Sequence, residues 1–395
     1  MLRSIRQLGV AVGIVASLTT ASLVGPGAAS DANAATIPST WPAICGSNIA
    51  PAGTALVAGA ANCRYLTSDG LTRRYVVSVP AAAANGDVPV VFMFHGSGGT
   101  GEKFYDTSGW KELGANEGFI SVFPTGRTYK LTDGKTQTKW NDFTLTCDVL
   151  PRPANWPAAS AYPADDDSFV DAMLADLDSS SNVDLDRVYA SGFSNGSAFA
   201  QRLSVTRADT FAAVGSWAGT IGAQCATPNG DPATPIVAPY AQVPPATAPP
   251  VAIGLGNRDP KFVDGINAYL VANGQPTITK IPLDQASIER YLGGMLARQG
   301  AAHGLALVSG TPIGVNDWAG VAWLASWKPP VYTTLQWTTP VAGNADGNSF
   351  TFMLLDGVTH RYPHATPGDA TSIRVSGSVN AAALFWQFFE RNVGT

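Results

Sequence analysis

Charge, histidine and cysteine are all scarce in this chain, and each scarcity closes off a class of function. Only 13% of the residues are charged, and 24 Lys and Arg stand against 29 Asp and Glu with no long basic run. Nucleic acid is therefore not an expected partner, because phosphate backbones are held by clustered cations. Four Cys and four His occur in 395 residues without a CxxC or His-Cys spacing, so neither a metal site nor any other cofactor is expected. The Gly-rich run GSGGTGEK (96–103) fails the phosphate-cradling pattern, since Glu102 precedes Lys103 and Phe104 follows it. No internal repeat is visible, and nowhere is there a clean apolar span of about 20 residues of the kind that crosses a bilayer. Hydrophobic residues make up 45% of the chain, enough for a large core and far from a disordered composition.

What is present begins with an export signal. Arg3 and Arg6 precede an apolar run at 8–24, and Ala32-Asn33-Ala34 supplies a small-residue cleavage site. The expectation is a signal peptide at 1–34, a secreted extracellular protein without stable membrane insertion, and a single catalytic domain at 35–395. In an oxidising compartment Cys45, Cys63, Cys147 and Cys225 are expected to form two disulfides. Three pairings are open. The local Cys45–Cys63 pair is favoured, and Cys147–Cys225 would then follow.

Residues 35–64 read as a polar lead-in. Beyond them strands and helices alternate: strands at 73–80, 88–94, 119–124, 187–191, 211–219, 251–256 and 349–356, with helices at 110–118, 167–177, after 195 and at 380–392. That alternation predicts a mostly parallel sheet covered on both faces. The Pro/Ala-rich stretch 226–250 is read as a surface excursion. Residues 260–348, which carry Trp318, Trp323, Trp327 and Trp337, are read as a long insertion that forms a lid or pocket wall, or packs on the core.

RVYASGFSNGSAFAQRL (187–203) raises the chemical question. A strand-to-helix turn needs glycine but does not need a serine at its apex. Gly192-Phe193-Ser194-Asn195-Gly196 fits a nucleophile elbow, which lifts a serine hydroxyl above the sheet at a helix N-terminus. A serine needs a base. Of the histidines, His95 lies in a Gly-rich loop, His303 has no motif around it, and His360 follows the last strand with His364 close behind; His360 is preferred. The orienting carboxylate should fall between serine and histidine in the chain, which points to Asp259 just beyond a strand, ahead of Asp264 and Asp356. The oxyanion donors are expected to be the backbone N–H groups of Ser97, in HGSGG (95–99), and Asn195.

Taken together, FHGSGG, GFISVFPTG, DDDSFVDAML, DRVYASGFSNGSAFAQRL, GLGNRDP and GVTHRYP resemble the esterase family of extracellular poly(3-hydroxybutyrate) depolymerases and their feruloyl-esterase relatives, over roughly residues 65–260 and 349–392. The resemblance implies an α/β-hydrolase fold with Ser194 as nucleophile, Asp259 as acid and His360 as base, acting on polyester or hydroxy-acid oligomer esters. Deacylation of plant cell-wall esters, feruloyl or acetyl, is the alternative within esterases. A peptidase on the same fold and a non-catalytic surface-binding protein are the competing classes. Two departures from the family pattern bear on substrate preference. Leu255-Gly256 stands where the family has His-Gly, and Thr359-His360-Arg361-Tyr362-Pro363 stands where it has Gly-His-x-Trp-Pro.

Overall fold

The chain VPVVFMF at 88–94 is buried along its whole length, and its side chains divide between two cores. Val90, Phe92 and Phe94 pack into one apolar cluster while Val91 and Met93 pack into the other. A strand apolar on both faces belongs in the middle of a sheet with a layer on each side. The computed structural model describes residues 43–45, 49–220, 249–302, 322–324, 332–338, 349–364, 374–375 and 378–394.

In chain order the strands are β1 (Ile49–Pro51), β2 (Ala61–Ser68), β3 (Leu71–Ser78), β4 (Val88–Phe94), β5 (Ile120–Pro124), β6 (Arg127–Lys130), β7 (Thr136–Lys139), β8 (Val183–Phe193), β9 (Ala213–Trp217), β10 (Val251–Gly256), β11 (Ala322–Leu324), β12 (Tyr332–Thr338) and β13 (Ser349–Leu355). Eleven of them form one sheet in the order β1-β2-β3-β5-β4-β8-β9-β10-β13-β12-β11, β6 and β7 make a separate hairpin, and two further short strands, β14 (Arg374–Val375) and β15 (Ser378–Val379), pair with each other. The run β5-β4-β8-β9-β10-β13 is parallel throughout, and antiparallel pairs flank it on both sides. This is the α/β-hydrolase fold.

The helices divide by face. Helices α1 (Gly101–Thr107), α2 (Trp110–Glu117) and α8 (Ala381–Phe389) share the core that holds Trp110, Phe385 and Phe389. Helices α4 (Asp166–Ser180), α5 (Asn195–Thr206), α6 (Pro260–Ala272) and α7 (Gln285–Ala302) cover the other face through Phe169, Phe199, Val263 and Leu292; α3 (Leu145–Asp148) is one short turn.

Two expectations need correction. The stretch read as a polar lead-in, 35–64, holds β1 and the start of β2, which extend the sheet at its edge. Cys63 and Arg64 are buried on β2, and the disulfide to Cys45 with the Arg64 bond to Pro51 O ties that edge together. The stretch read as an insertion, 260–348, begins with two helices whose Val263, Ile288, Leu292 and Leu296 are in the core, so 260–302 is a layer of the fold. Further on, β12 pairs antiparallel with β13 and β11 antiparallel with β12, which prolongs the sheet. Residues 1–34, the 226–248 part of the surface excursion, His303, Trp318 and Trp327 lie outside the described residues, as does Cys225; Cys147 is itself disulfide-bonded. Among the described residues no helix is long and apolar enough to cross a membrane.

Candidate active site

Ser194 sits between β8 and α5 with φ 54 and ψ −118, a conformation L-residues avoid unless the surroundings impose it. Two glycines make the turn sterically open. A Cβ on Gly192 would come within 2.1 Å of Gly196 O, and one on Gly196 within 2.2 Å of Phe94 O, so strand and helix could not approach this closely with any side chain there. The Ser194 amide donates to Trp217 O at 2.9 Å, which anchors the turn to β9. The hydroxyl is left at the carboxyl end of the parallel strands, where this type of sheet forms its crevice.

Two further loops converge on it. Asp259 follows β10 as the N-cap of α6, with Pro260 at the first helical position. Its side chain is fully buried. One carboxylate oxygen accepts the Lys261 amide at 3.0 Å, and the other accepts His360 Nδ1–H at 2.7 Å. The opposite ring nitrogen, Nε2, lies 2.9 Å from Ser194 Oγ. Because a carboxylate only accepts, Nδ1 carries the proton and Nε2 is the acceptor for the serine hydroxyl.

The histidine loop is held from several sides. The Trp217 indole N–H donates to Arg361 O at 2.8 Å, and the Phe193 ring lies 5.1 Å from the imidazole centroid. Buried Asn257 accepts the Gly357 amide at 2.9 Å and donates to Asp356 Oδ1 at 2.7 Å, which joins the loop after β10 to the loop after β13. The other histidines and carboxylates are elsewhere. Asp264 and His364 are exposed, Asp356 pairs with Lys280 at 3.2 Å, and His95 is buried behind its loop.

His95 has a distinct position. Its Nδ1–H donates to Gly96 O at 2.8 Å and its Nε2 accepts the Gly126 amide at 2.9 Å. Burial pushes its pKa down to about 4, so it stays neutral in that bridge. It thus pins the Ser97 loop against the β5–β6 turn. The same loop is clamped to β7 by Gly98 N–H to Thr138 O at 2.8 Å and Thr138 Oγ1–H to Gly99 O at 2.9 Å. Ser97 lines the cleft beside Ser194, and Asn195 opens α5, where backbone N–H groups have no intrahelical acceptor.

The β6–β7 hairpin closes the cleft. A cavity of about 500 Å³ runs between Ser194, His360 and Phe193 on one side and Leu131, Gln137 and Lys139 on the other. A smaller one of about 250 Å³ adjoins it beside Asn195 and Phe262. The hairpin, the Asn195 side chain that ties its far end, Asn257 and Lys261 are not picked out by the sequence reading. Thr/Lys/Gln alternation at 127–139 carries too little hydrophobicity to signal strands, whereas Lys261, two residues beyond Asp259 at a Pro-marked helix start, was open to notice. Trp323 and Trp337 fall on β11 and β12. Among the described residues no cluster of three or more His, Cys, Asp or Glu could hold a metal ion.

Residues 73–229 match the family model described as Esterase PHB depolymerase. A curated relative from Nocardia uniformis subsp. tsuyamanensis, named "Putative esterase NocK", is 28% identical over 283 residues, 68% of this chain and 76% of that protein. Among solved structures, an acetyl xylan esterase from Aspergillus awamori overlays 75% of this chain and 93% of its own at 17% identity and a TM-score of 0.42. An S-formylglutathione hydrolase from Agrobacterium tumefaciens overlays 77% and 88% at 14% identity, also with a TM-score of 0.42.

Proposed function

We propose that this chain, a carboxylic ester hydrolase whose residues 73–229 match the PHB depolymerase esterase model, works through Ser194, His360 and Asp259 on esters of hydroxy acids, from oligomers to polyester. The observation that carries the catalytic assignment is the unbroken hydrogen-bonded line from Asp259 through His360 to Ser194 Oγ.

The chemistry follows from that line. Ser194 Oγ attacks the ester carbonyl while His360 Nε2 takes its proton, and the carbonyl oxygen becomes an oxyanion. The amides of Ser97 and Asn195 are the proposed donors to it, with the α5 N-terminus adding its positive end. Asp259 keeps the imidazole in the Nδ1–H tautomer and offsets its charge once Nε2 is protonated. The C–O bond to the alcohol then breaks, and His360 returns the proton to the leaving oxygen. Water, deprotonated by the same nitrogen, cleaves the acyl-serine and releases the acid. No co-reactant beyond water is consumed.

We place the protein in an oxidising, extracellular setting, which the buried Cys45–Cys63 bond and the N-terminal export pattern support. A test of the assignment is labelling with a fluorophosphonate followed by peptide mapping. Modification on the GFSNGS peptide, abolished in Ser194→Ala, is the expected result; labelling that persists in that variant contradicts it.

A further inference from the structure

Lys261 Nζ lies 3.4 Å from Ser194 Oγ, a cation beside the atom on which the ester carbonyl must land. The hydrolytic line already described does not use it. Its surroundings make it an unusual choice of residue. It occupies the first turn of α6, the positive end of a helix, where a lysine is disfavoured and a carboxylate would be stabilised. The cleft is lined by three ammonium groups, Lys135, Lys139 and Lys261, and by two carboxylates, Asp133 and Asp148. Lys135 pairs with Asp133 and Lys139 with Asp148, each at 2.6 Å. Among the described residues Lys261 has no carboxylate within ion-pair distance, so it is the one lysine lining the cleft without a carboxylate partner, the nearby Asp259 carboxylate being taken up by His360 and by the Lys261 amide.

We propose that Lys261 is a specificity-determining residue that binds a carboxylate of the substrate a few bonds from the scissile carbonyl. The inference rests on the catalytic reading above and narrows its substrate class. A dimer of a 3-hydroxy acid carries such a carboxylate on its alcohol side, whereas an internal bond of a long polymer does not. The favoured substrates are therefore short hydroxy-acid oligomers with a free carboxyl end. The leading reaction in sequence is one that cuts polymer to such oligomers. The Asp259 turn sets both functions at once: one oxygen of that carboxylate orients His360, and the other fixes the amide of Lys261 at the start of α6.

The test is a matched pair, the 3-hydroxybutyrate dimer as free acid and as its methyl ester, with kcat/KM measured for both. The wild-type protein should favour the free acid, and sodium chloride should erode that preference. Lys261→Met should lower the acid-to-methyl-ester ratio about tenfold, the scale of one charge-assisted hydrogen bond, while Lys261→Arg keeps most of it. A ratio within twofold of wild type in Lys261→Met, whether both rates are retained or fall together, overturns the carboxylate role. The catalytic reading fails separately: that outcome is Ser194→Ala turning over either dimer at the wild-type rate. A wild-type protein that hydrolyses p-nitrophenyl acetate but neither dimer overturns the substrate inference and leaves the triad standing.

Discussion

Asn195 Nδ2 donates to Asp142 Oδ2 at 2.6 Å, so the residue that follows Ser194 also fastens the segment leaving the cleft hairpin. The same side chain pairs with both polar groups of the Trp140 backbone, accepting its N–H at 2.7 Å and donating to its C=O at 3.1 Å. Asp142 is buried and its pKa is raised, chiefly by that burial, and its other oxygen is satisfied by Thr144 N–H and Oγ–H. One amide side chain thereby sets the Asn195 backbone N–H and the hairpin wall in a common frame.

Asn195→Ala should keep the backbone N–H and lose that frame. Buried partners left unpaired cost about 1–3 kcal/mol, so a thermal melt should show measurable destabilisation. If the amide is an oxyanion donor, kcat should fall about tenfold or more while KM changes less. A loss confined to KM would assign the side chain to substrate binding alone.

His95 makes stability depend on pH with a definite sign. Its folded pKa, about 4, lies below the ordinary histidine value of 6.5. Between those values the unfolded chain binds a proton that the folded one refuses. Stability from this group is therefore full above pH 6.5 and declines as pH falls towards 4. Urea midpoints taken across that window should fall in the wild type and fall less steeply in His95→Gln. Parallel slopes in the two proteins would remove His95 as the cause.

The Cys45–Cys63 bond spans 18 residues of sequence and fastens the sheet's first edge. Loop-closure entropy for that span gives a contribution of about 3 kcal/mol. The Cys45→Ser/Cys63→Ser variant should unfold at lower denaturant with activity per folded molecule retained. Unchanged stability would mean that β1 and β2 are held by their ladder and by Arg64 alone.

How far the sequence could be read follows from which signals are local. The elbow was legible because Gly192, Ser194 and Gly196 fall within five consecutive residues between a strand pattern and a helix pattern, and the buried strands because VPVVFMF and VAIGLG are apolar throughout. Helix α8 was legible from its dense apolar run. Strand β2 was not, because ANCRYLTS earns its burial from a disulfide and from Arg64 bonding to loop carbonyls. Helices α6 and α7 were absorbed into a supposed insertion, since their apolar positions are spaced among Gly, Asn and Gln and gain meaning only against the sheet. Asn257 and the Asn195 side chain work through partners about 100 and 55 residues away, a relation that local pattern cannot display.

The most direct measurement is kcat on a soluble ester for Ser194→Ala, His360→Ala and the double variant, with Asp259→Asn and His364→Ala alongside. Each of the first two should lose about three or more orders of magnitude, and the double variant little more than either, because groups acting as one unit are not additive. Asp259→Asn should be severe but milder, through loss of the imidazole's charge partner. His364→Ala should stay close to wild type. The account is contradicted if Ser194→Ala hydrolyses esters at the wild-type rate, or if His360→Ala keeps near-normal turnover.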